Sequence, residues 1–205
     1  MPVITLDPYL LLLLIACLYI LVFGGLGLVR REGLSIQFVV ESVLLTAVVV
    51  GGGWLLGFAA NPFLFLALLY LVTLRSRLLT DLGNILARRG SYGAAFRVYD
   101  LALALRPDPA SRLIVLANLG AARLHSGQVE AAIETMKEVL SQTARPGLGI
   151  KYEAATHYNL GYAYEKSGDD ARAVAEYNEA IDTLPGSLYA QAAQSALKRR
   201  RQQTL

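Results

Sequence analysis

The sequence predicts an all-α protein in two parts. Apolar helices long enough to cross a bilayer, about three of them, come first; a solenoid of three stacked helix pairs and a C-terminal capping helix follow. Three observations carry this. Charge is partitioned: residues 1–74 hold only Asp7, Arg30, Arg31, Glu32 and Glu41, leaving 17 of the 19 Lys and Arg and 13 of the 16 Asp and Glu to the other 131 residues. Two long runs, Pro8 to Val29 with no charge and Leu34 to Phe58 with Glu41 alone, sit in the first part. In the second part a Leu-Gly pair recurs, each time followed seven residues later by another Gly.

Composition excludes several classes. A net charge of +3 with acids interspersed offers no stripe for nucleic acid. Cys17 is the single cysteine, so there is no disulfide framework and no thiolate metal site. His125 and His157 are the only histidines and fall in different units, with no carboxylate pair or nucleophile at a matching spacing. The reading is therefore of a non-enzyme, with no cofactor, metal or small-molecule substrate.

Pro8 to Val29 is 22 residues, enough for a helix to cross the roughly 30 Å of hydrocarbon. The preceding MPVITLD lacks Lys and Arg and no small-residue cleavage site follows, which argues against a secretory signal. Leu14 to Cys17 (LIAC) looks like a lipobox, but 12 more apolar residues follow the cysteine. An uncleaved span is the better reading. Arg30, Arg31, Glu32 and Gly33 make a charged turn, and 34–58 reads as a second span. The third opens with Asn61 as N-cap and Pro62 at the first helical position, and runs uncharged to Leu74. Residues 62–74 reach only about 20 Å. One continuous helix to Leu79, with Arg75 and Arg77 snorkelling, brings the span to 62–79 and carries it into the first repeat. An even number of spans between Arg30/Arg31 and Arg75, Arg77, Arg88 and Arg89 keeps these cations on one side, which the positive-inside rule makes cytoplasmic. The expectation is an integral protein of a bacterial inner membrane with its soluble domain inside. Two spans, with 62–74 lying in the interface, is the alternative topology.

Gly24 and Gly27 in the first span, and Gly53 and Gly57 in the second, have the small side chains that close helix packing uses. Glu41, flanked by Gln37 and Ser42, is the one ionisable group well inside a span. It costs about 2.5–3.5 kcal/mol if central and must face protein or water, so it is expected to pair or reach the interface.

The soluble units align as Arg77–Pro107, Arg112–Leu140 and Ala154–Pro185. Leu82-Gly83, Leu119-Gly120 and Leu160-Gly161 are followed by Gly90, Gly127 and Gly168, then Ala95, Ala132 and Ala173, then Tyr99, Met136 and Tyr177. This pattern is a helix needing Gly for close approach, a Gly turn, and a second helix with Ala at the tight crossing. Asp169 and Asp170 follow the third turn and read as helix caps. These units resemble tetratricopeptide repeats (TPR). The third is the fullest match, with Tyr164, Ala180 and Pro185 also in place and His157 where the family usually has Trp, a packing position. In the second, Arg123 replaces the Tyr and the closing Pro is displaced to Pro146. Gly83 to Gly120 is 37 residues and Gly120 to Gly161 is 41, against a family period of about 34. The extra residues, 108–111 and 144–150, are expected to lengthen loops or helix ends. The domains are then a membrane region 1–74 and a TPR domain 76–205, with repeats 76–109, 113–146 and 154–187 and a capping helix 188–201 whose Leu188, Ala192, Ser195 and Ala196 point inward. The KRRR of that helix reads as a solvated end.

The resemblance implies peptide binding on the concave face lined by the first helix of each pair. Carried over position by position, the face comprises Asn84 and Arg88, then Asn118, Ala121 and His125, then Tyr158, Asn159, Tyr162, Glu165 and Lys166. Asn118 and Asn159 are equivalent and can each pair with a peptide backbone; Asp81 takes that place in the first unit. Thr80 and Ala155 stand where carboxylate-gripping family members carry Lys or Arg, which disfavours a C-terminal clamp. The functional expectation is a membrane-anchored adaptor or scaffold holding a protein partner, with help in assembling a membrane complex. The alternative is a structural subunit of such a complex, held through its transmembrane helices.

Overall fold

The computed structural model describes residues 7–29, 35–142 and 148–203, which form ten helices and no strand. The expected turn at Arg30–Gly33 and the displaced Pro146 lie outside these residues.

Helices α1 (Pro8–Val29) and α2 (Ile36–Leu56) are each long and apolar enough to cross a membrane. Ser35 caps α2, its hydroxyl accepting from the Phe38 amide at 3.1 Å. Leucines and valines cover the outside of both helices, while Leu12, Ala16, Tyr19 and Phe38 join Phe65 and Leu69 of α3 in a small core. The buried Ser42 and Thr46 bond to carbonyls one turn back, so neither hydroxyl is orphaned.

The third apolar stretch corrects the expectation of one helix over 62–79. Asn61 and Pro62 do start α3, the Asn61 side chain accepting from the Phe63 and Leu64 amides. But α3 ends at Thr73, and α4 (Arg75–Arg88) leaves at 72°. The cause is a side chain in the helical ladder. In a continuous helix the Val72 carbonyl would accept from the Ser76 amide; here it accepts from Arg75 Nη1 at 2.6 Å. The 12 residues of α3 rise about 18 Å, so a third span exists only if the bent pair counts as one.

From α4 on, helices pair as expected: α4 with α5 (Tyr92–Ala104), α6 (Pro109–His125) with α7 (Val129–Ser141), and α8 (Ile150–Ser167) with α9 (Asp170–Thr183). Each pair turns at a glycine in the left-handed region, with φ of 76° at Gly90, 86° at Gly127 and 81° at Gly168. Such angles cost a residue with a Cβ about 1–2 kcal/mol. The Leu-Gly glycines work by contact. A Cβ on Gly83 would stand 2.5 Å from Tyr99 Cε1, and one on Gly161 would stand 2.8 Å from Tyr177 Cδ1. Tyr99, Tyr177 and the three crossing alanines are all fully buried.

Two of the repeat helices start before the aligned units do: α6 at Pro109, capped by Asp108, and α8 at Ile150, each about a turn ahead of 113 and 154, so that 109–111 lengthen a helix end as expected. Asp169 caps α9 by accepting from the Arg172 amide, as expected. The capping helix α10 (Leu188–Gln203) is present, but its inward face is corrected. Ala190, Ala193 and Ala196 pack inward, while Leu188 is 81% exposed and Ser195 is exposed. Three alanines at a spacing of three let α10 approach closely, so the small residues set the register; Leu197 packs beside them and Leu188 stays outside.

Candidate functional site

The first helices of the three pairs, with residues of α5 and α10, line a groove of about 600 Å³. It gathers eight of the ten expected residues: Asn84, Arg88, Asn118, Ala121, His125, Tyr158, Asn159 and Tyr162. The other two lie outside the lining. Glu165 accepts a 2.5 Å hydrogen bond from the Tyr177 hydroxyl, and the Lys166 ammonium stands 5.3 Å from the centre of the Tyr162 ring. Glu165 is thereby tied to a core tyrosine and Lys166 to a lining one.

The groove is richer in tyrosine than the sequence reading held. Tyr92, Tyr99, Tyr152 and Tyr189 join Tyr158 and Tyr162. Tyr152 sits in the added first turn of α8, and Tyr189 follows Leu188 in the capping helix, whose face was assigned differently. Tyr99 belongs to the core, yet its hydroxyl reaches Asn84 Oδ1 at 2.7 Å. The alignment contained this signal, because Tyr99 and Gly83 occupy paired positions. Tyr158 packs against Tyr177 at 5.9 Å and Tyr189 at 6.2 Å between ring centres.

The polar groups retain capacity for a ligand. Asn84 spends its carbonyl on Tyr99, leaving its amide hydrogens. Asn118 donates once to Ile114 O at 2.7 Å, leaving its carbonyl and one hydrogen. Asn159 makes no side-chain hydrogen bond among the described residues. Arg88 and His125 are the only basic side chains in the lining, which contains no carboxylate. Burial pushes the Tyr99 hydroxyl up to about 12 and raises that of Tyr158, against the nearby Arg199. At neutral pH both are therefore donors. Thr80 is buried and bonded to Ser76 O, and Ala155 lines the groove, so neither clamp position supplies a cation. His157 lies behind the groove, its Nδ1 2.7 Å from Glu176 Oε2, and ties α8 to α9. Among the described residues no group of three or more His, Cys, Asp and Glu is placed to hold a metal ion.

A second polar cluster joins the apolar helices to this stack. Arg75 meets Glu41 through both nitrogens, at 2.6 and 2.8 Å, and reaches Leu105 O at 3.3 Å. Gln37 bridges Glu41 at 2.9 Å and Arg106 O at 3.0 Å. Arg106 itself is held at φ 50°, the one left-handed non-glycine among the described residues. Glu41 thus fastens α2 to the α3/α4 bend and to the end of α5. Of the glycines expected to pack helices, Gly24 is buried and Gly27 half-buried in α1. A Cβ on Gly53 would stand 2.6 Å from Phe58 O and 3.6 Å from the Tyr9 ring of α1. Gly57 instead ends α2 at φ 72° with open space around it.

Stacked helix hairpins whose Gly, Ala and Tyr positions interlock in this way, with a groove across the first helices, define a repeat scaffold for protein binding. The chain belongs to the tetratricopeptide repeat family. Family models described as tetratricopeptide repeat match residues 78–113 and 110–185, together just over half of the sequence. It is also similar to the photosystem I assembly protein Ycf3 of Synechococcus elongatus, 27% identical over 93 residues, and to that of another Synechococcus strain, 31% identical over 93 residues. Each match covers 45% of this chain and 54% of the relative, so the chain spans about half the length of the curated relatives it matches.

Proposed function

We propose that the protein is a membrane-anchored adaptor that holds a segment of a protein partner in the tyrosine-lined groove and assists assembly of a membrane complex. The observation that carries this reading is the union of two features in one chain. A groove lined by tyrosine rings and by asparagines with unspent hydrogen-bonding groups is clamped, through Glu41 and Arg75, to two helices of membrane-spanning length. Tyrosine rings give broad contact at little conformational cost, and the asparagines can bond to a peptide backbone whatever its sequence. With Arg88 and His125 as its only basic side chains and no acid in the lining, the groove suits a neutral or mildly acidic segment better than a basic one. That the relatives are photosystem I assembly proteins supports taking the client to be a subunit of a membrane complex.

A second reading is a structural subunit held through α1–α3, favoured by the exposed apolar surface around Trp54, Leu55, Leu56 and Phe58. One experiment separates the two: crosslinking in native membranes, followed by identification of what co-purifies with wild type and with an Asn159→Ala, Tyr162→Ala double variant. Tyr158 is left intact because it packs on the buried Tyr177. An adaptor loses a specific partner while the variant stays folded and inserted. An unchanged partner set refutes the groove reading and favours the subunit.

A further inference from the structure

The groove and the apolar helices share one surface. Where the ends of α1, α2 and α3 meet the stack, a cavity is lined by Gly27, Ser35 and Thr73 together with Asp81, Ser111 and Ile114. Along α4, Asp81 is followed by Asn84 and Arg88 of the groove; along α6, Ser111 and Ile114 are followed by Asn118, Ala121 and His125. Steps of three and four residues keep each set on one helix face. Tyr152 of α8 lines both spaces. The concave face therefore runs from the ends of the apolar helices to the far ends of α4, α6 and α8.

Charge in the groove is confined to one end of that face. Arg88 and His125 stand in the last turns of α4 and α6, and neither side chain makes a hydrogen bond or ion pair among the described residues. Lys166, in the last turn of α8, lies over the Tyr162 ring. Three cations thus mark the rim farthest from the apolar helices, where helix C-termini favour them. The rest of the lining is uncharged. We infer that the groove takes the flank of an integral membrane client, the residues just beyond one of its spans, with a carboxylate about six residues from the bilayer. The spacing follows from the helices: Ser111 to His125 is about 21 Å of α6, which an extended chain covers in about six residues. Spans ordinarily carry Lys and Arg in their cytoplasmic flanks. The rim cations repel these, so an acidic flank is told apart from most others in the same bilayer. This inference rests on the membrane-anchored groove reading above.

The test reconstitutes the full chain in phosphatidylcholine vesicles with a designed single-span probe. The probe is a span of about 20 leucines and alanines followed by a flank of serine and asparagine, with a Glu-Glu pair either next to the span or about six residues from it. Binding is read by energy transfer, between a dye on the flank and one on the C-terminal residue of the chain, as the mole fraction of probe rises. The distant pair is expected to half-saturate at about tenfold lower mole fraction than the adjacent pair, or than Lys-Lys at the distant position, the effect of one charge-assisted hydrogen bond. An Arg88→Glu, His125→Glu variant, changed at two exposed positions, is expected to reverse the sign and prefer Lys-Lys. Equal binding at the two positions, binding of neither probe, or a preference that the charge-reversed variant keeps overturns the assignment. So does displacement of the probe by an equimolar soluble peptide of the same flank, which would make the client a soluble segment. The Asn159→Ala, Tyr162→Ala variant and an alkaline wash are run beside it. Probe binding unchanged by that variant refutes the groove reading, and release of the chain by the wash refutes the membrane reading. Binding that the variant weakens, but without preference for position, refutes the flank assignment alone.

Discussion

Gly83→Ala and Gly120→Ala are chemically the same change at equivalent positions, yet the geometry gives them opposite signs. An added methyl at Gly83 would lie 2.5 Å from Tyr99 Cε1 and 2.9 Å from Cδ1 and Cζ. That ring is fully buried, and its hydroxyl is tied to Asn84, so it cannot tilt without losing a hydrogen bond. Overpacking of this kind costs about 1–3 kcal/mol, while Ala regains about 1 kcal/mol over Gly inside a helix. A 2.5 Å contact is far inside normal approach and puts the cost in the upper half of that range, so the net is a loss of about 1–2 kcal/mol. At Gly120 the nearest atom is Met136 Cγ at 3.0 Å and the next is Cε at 3.5 Å. A thioether chain with three rotatable bonds can yield, so the helix gain dominates and the variant is neutral or up to about 1 kcal/mol more stable. Far-ultraviolet circular dichroism melts of the full chain in detergent should separate the pair by several degrees, at roughly 4 °C per kcal/mol for a solenoid of this size. A Gly120→Ala melt depressed as far as that of Gly83→Ala, or no change at Gly83, would sink the reasoning.

Two further outcomes follow from the junction and from the buried tyrosines. Glu41→Ala strips the partner from Arg75, a pair about one quarter exposed, and should cost about 1–3 kcal/mol. Hydrogen exchange should quicken at the start of α4 and at Leu105–Asp108 while α8–α10 stay unchanged; uniform quickening would mean that the clamp is not local. Burial raises the hydroxyls of Tyr99, to about 12, and of Tyr177 above the unfolded value of 10. Their neutral forms stabilise the fold fully below pH 10, and this contribution disappears as pH rises through the folded values. Spectroscopic titration should show these two among the last of the 11 tyrosines to ionise, together with loss of helix; Tyr99→Phe should move that loss to higher pH.

Most of the repeat architecture was legible because each marker residue does one local job. A turn glycine needs φ near 80°, a crossing alanine needs zero clearance, and both requirements show as residue identity at fixed spacing. The two helices of membrane-spanning length were legible for the same reason, since apolar length is a one-dimensional property. The bend at Leu74 was not, because its cause is Arg75 reaching Val72 O and Glu41, and Glu41 lies 34 residues earlier. Nor was the inward face of α10, where Leu188 outweighs alanine on any hydropathy scale but alanine fits the close approach. In the groove, residues at repeat-equivalent positions could be named in advance. Tyr152 and Tyr189 could not, since one lies in an inserted turn and the other beyond the last repeat.

The single residue between α3 and α4 has a consequence for encounter kinetics. A tethered domain on a flexible linker samples a volume set by the linker; here Leu74 and the Glu41 clamp leave no slack to sample. On the membrane reading the groove is carried at one height and one tilt while the whole molecule diffuses in the plane. Its search for a client embedded in the same bilayer is then two-dimensional, and lengthening the joint between Thr73 and Arg75 by a few glycines would turn it back into a three-dimensional one.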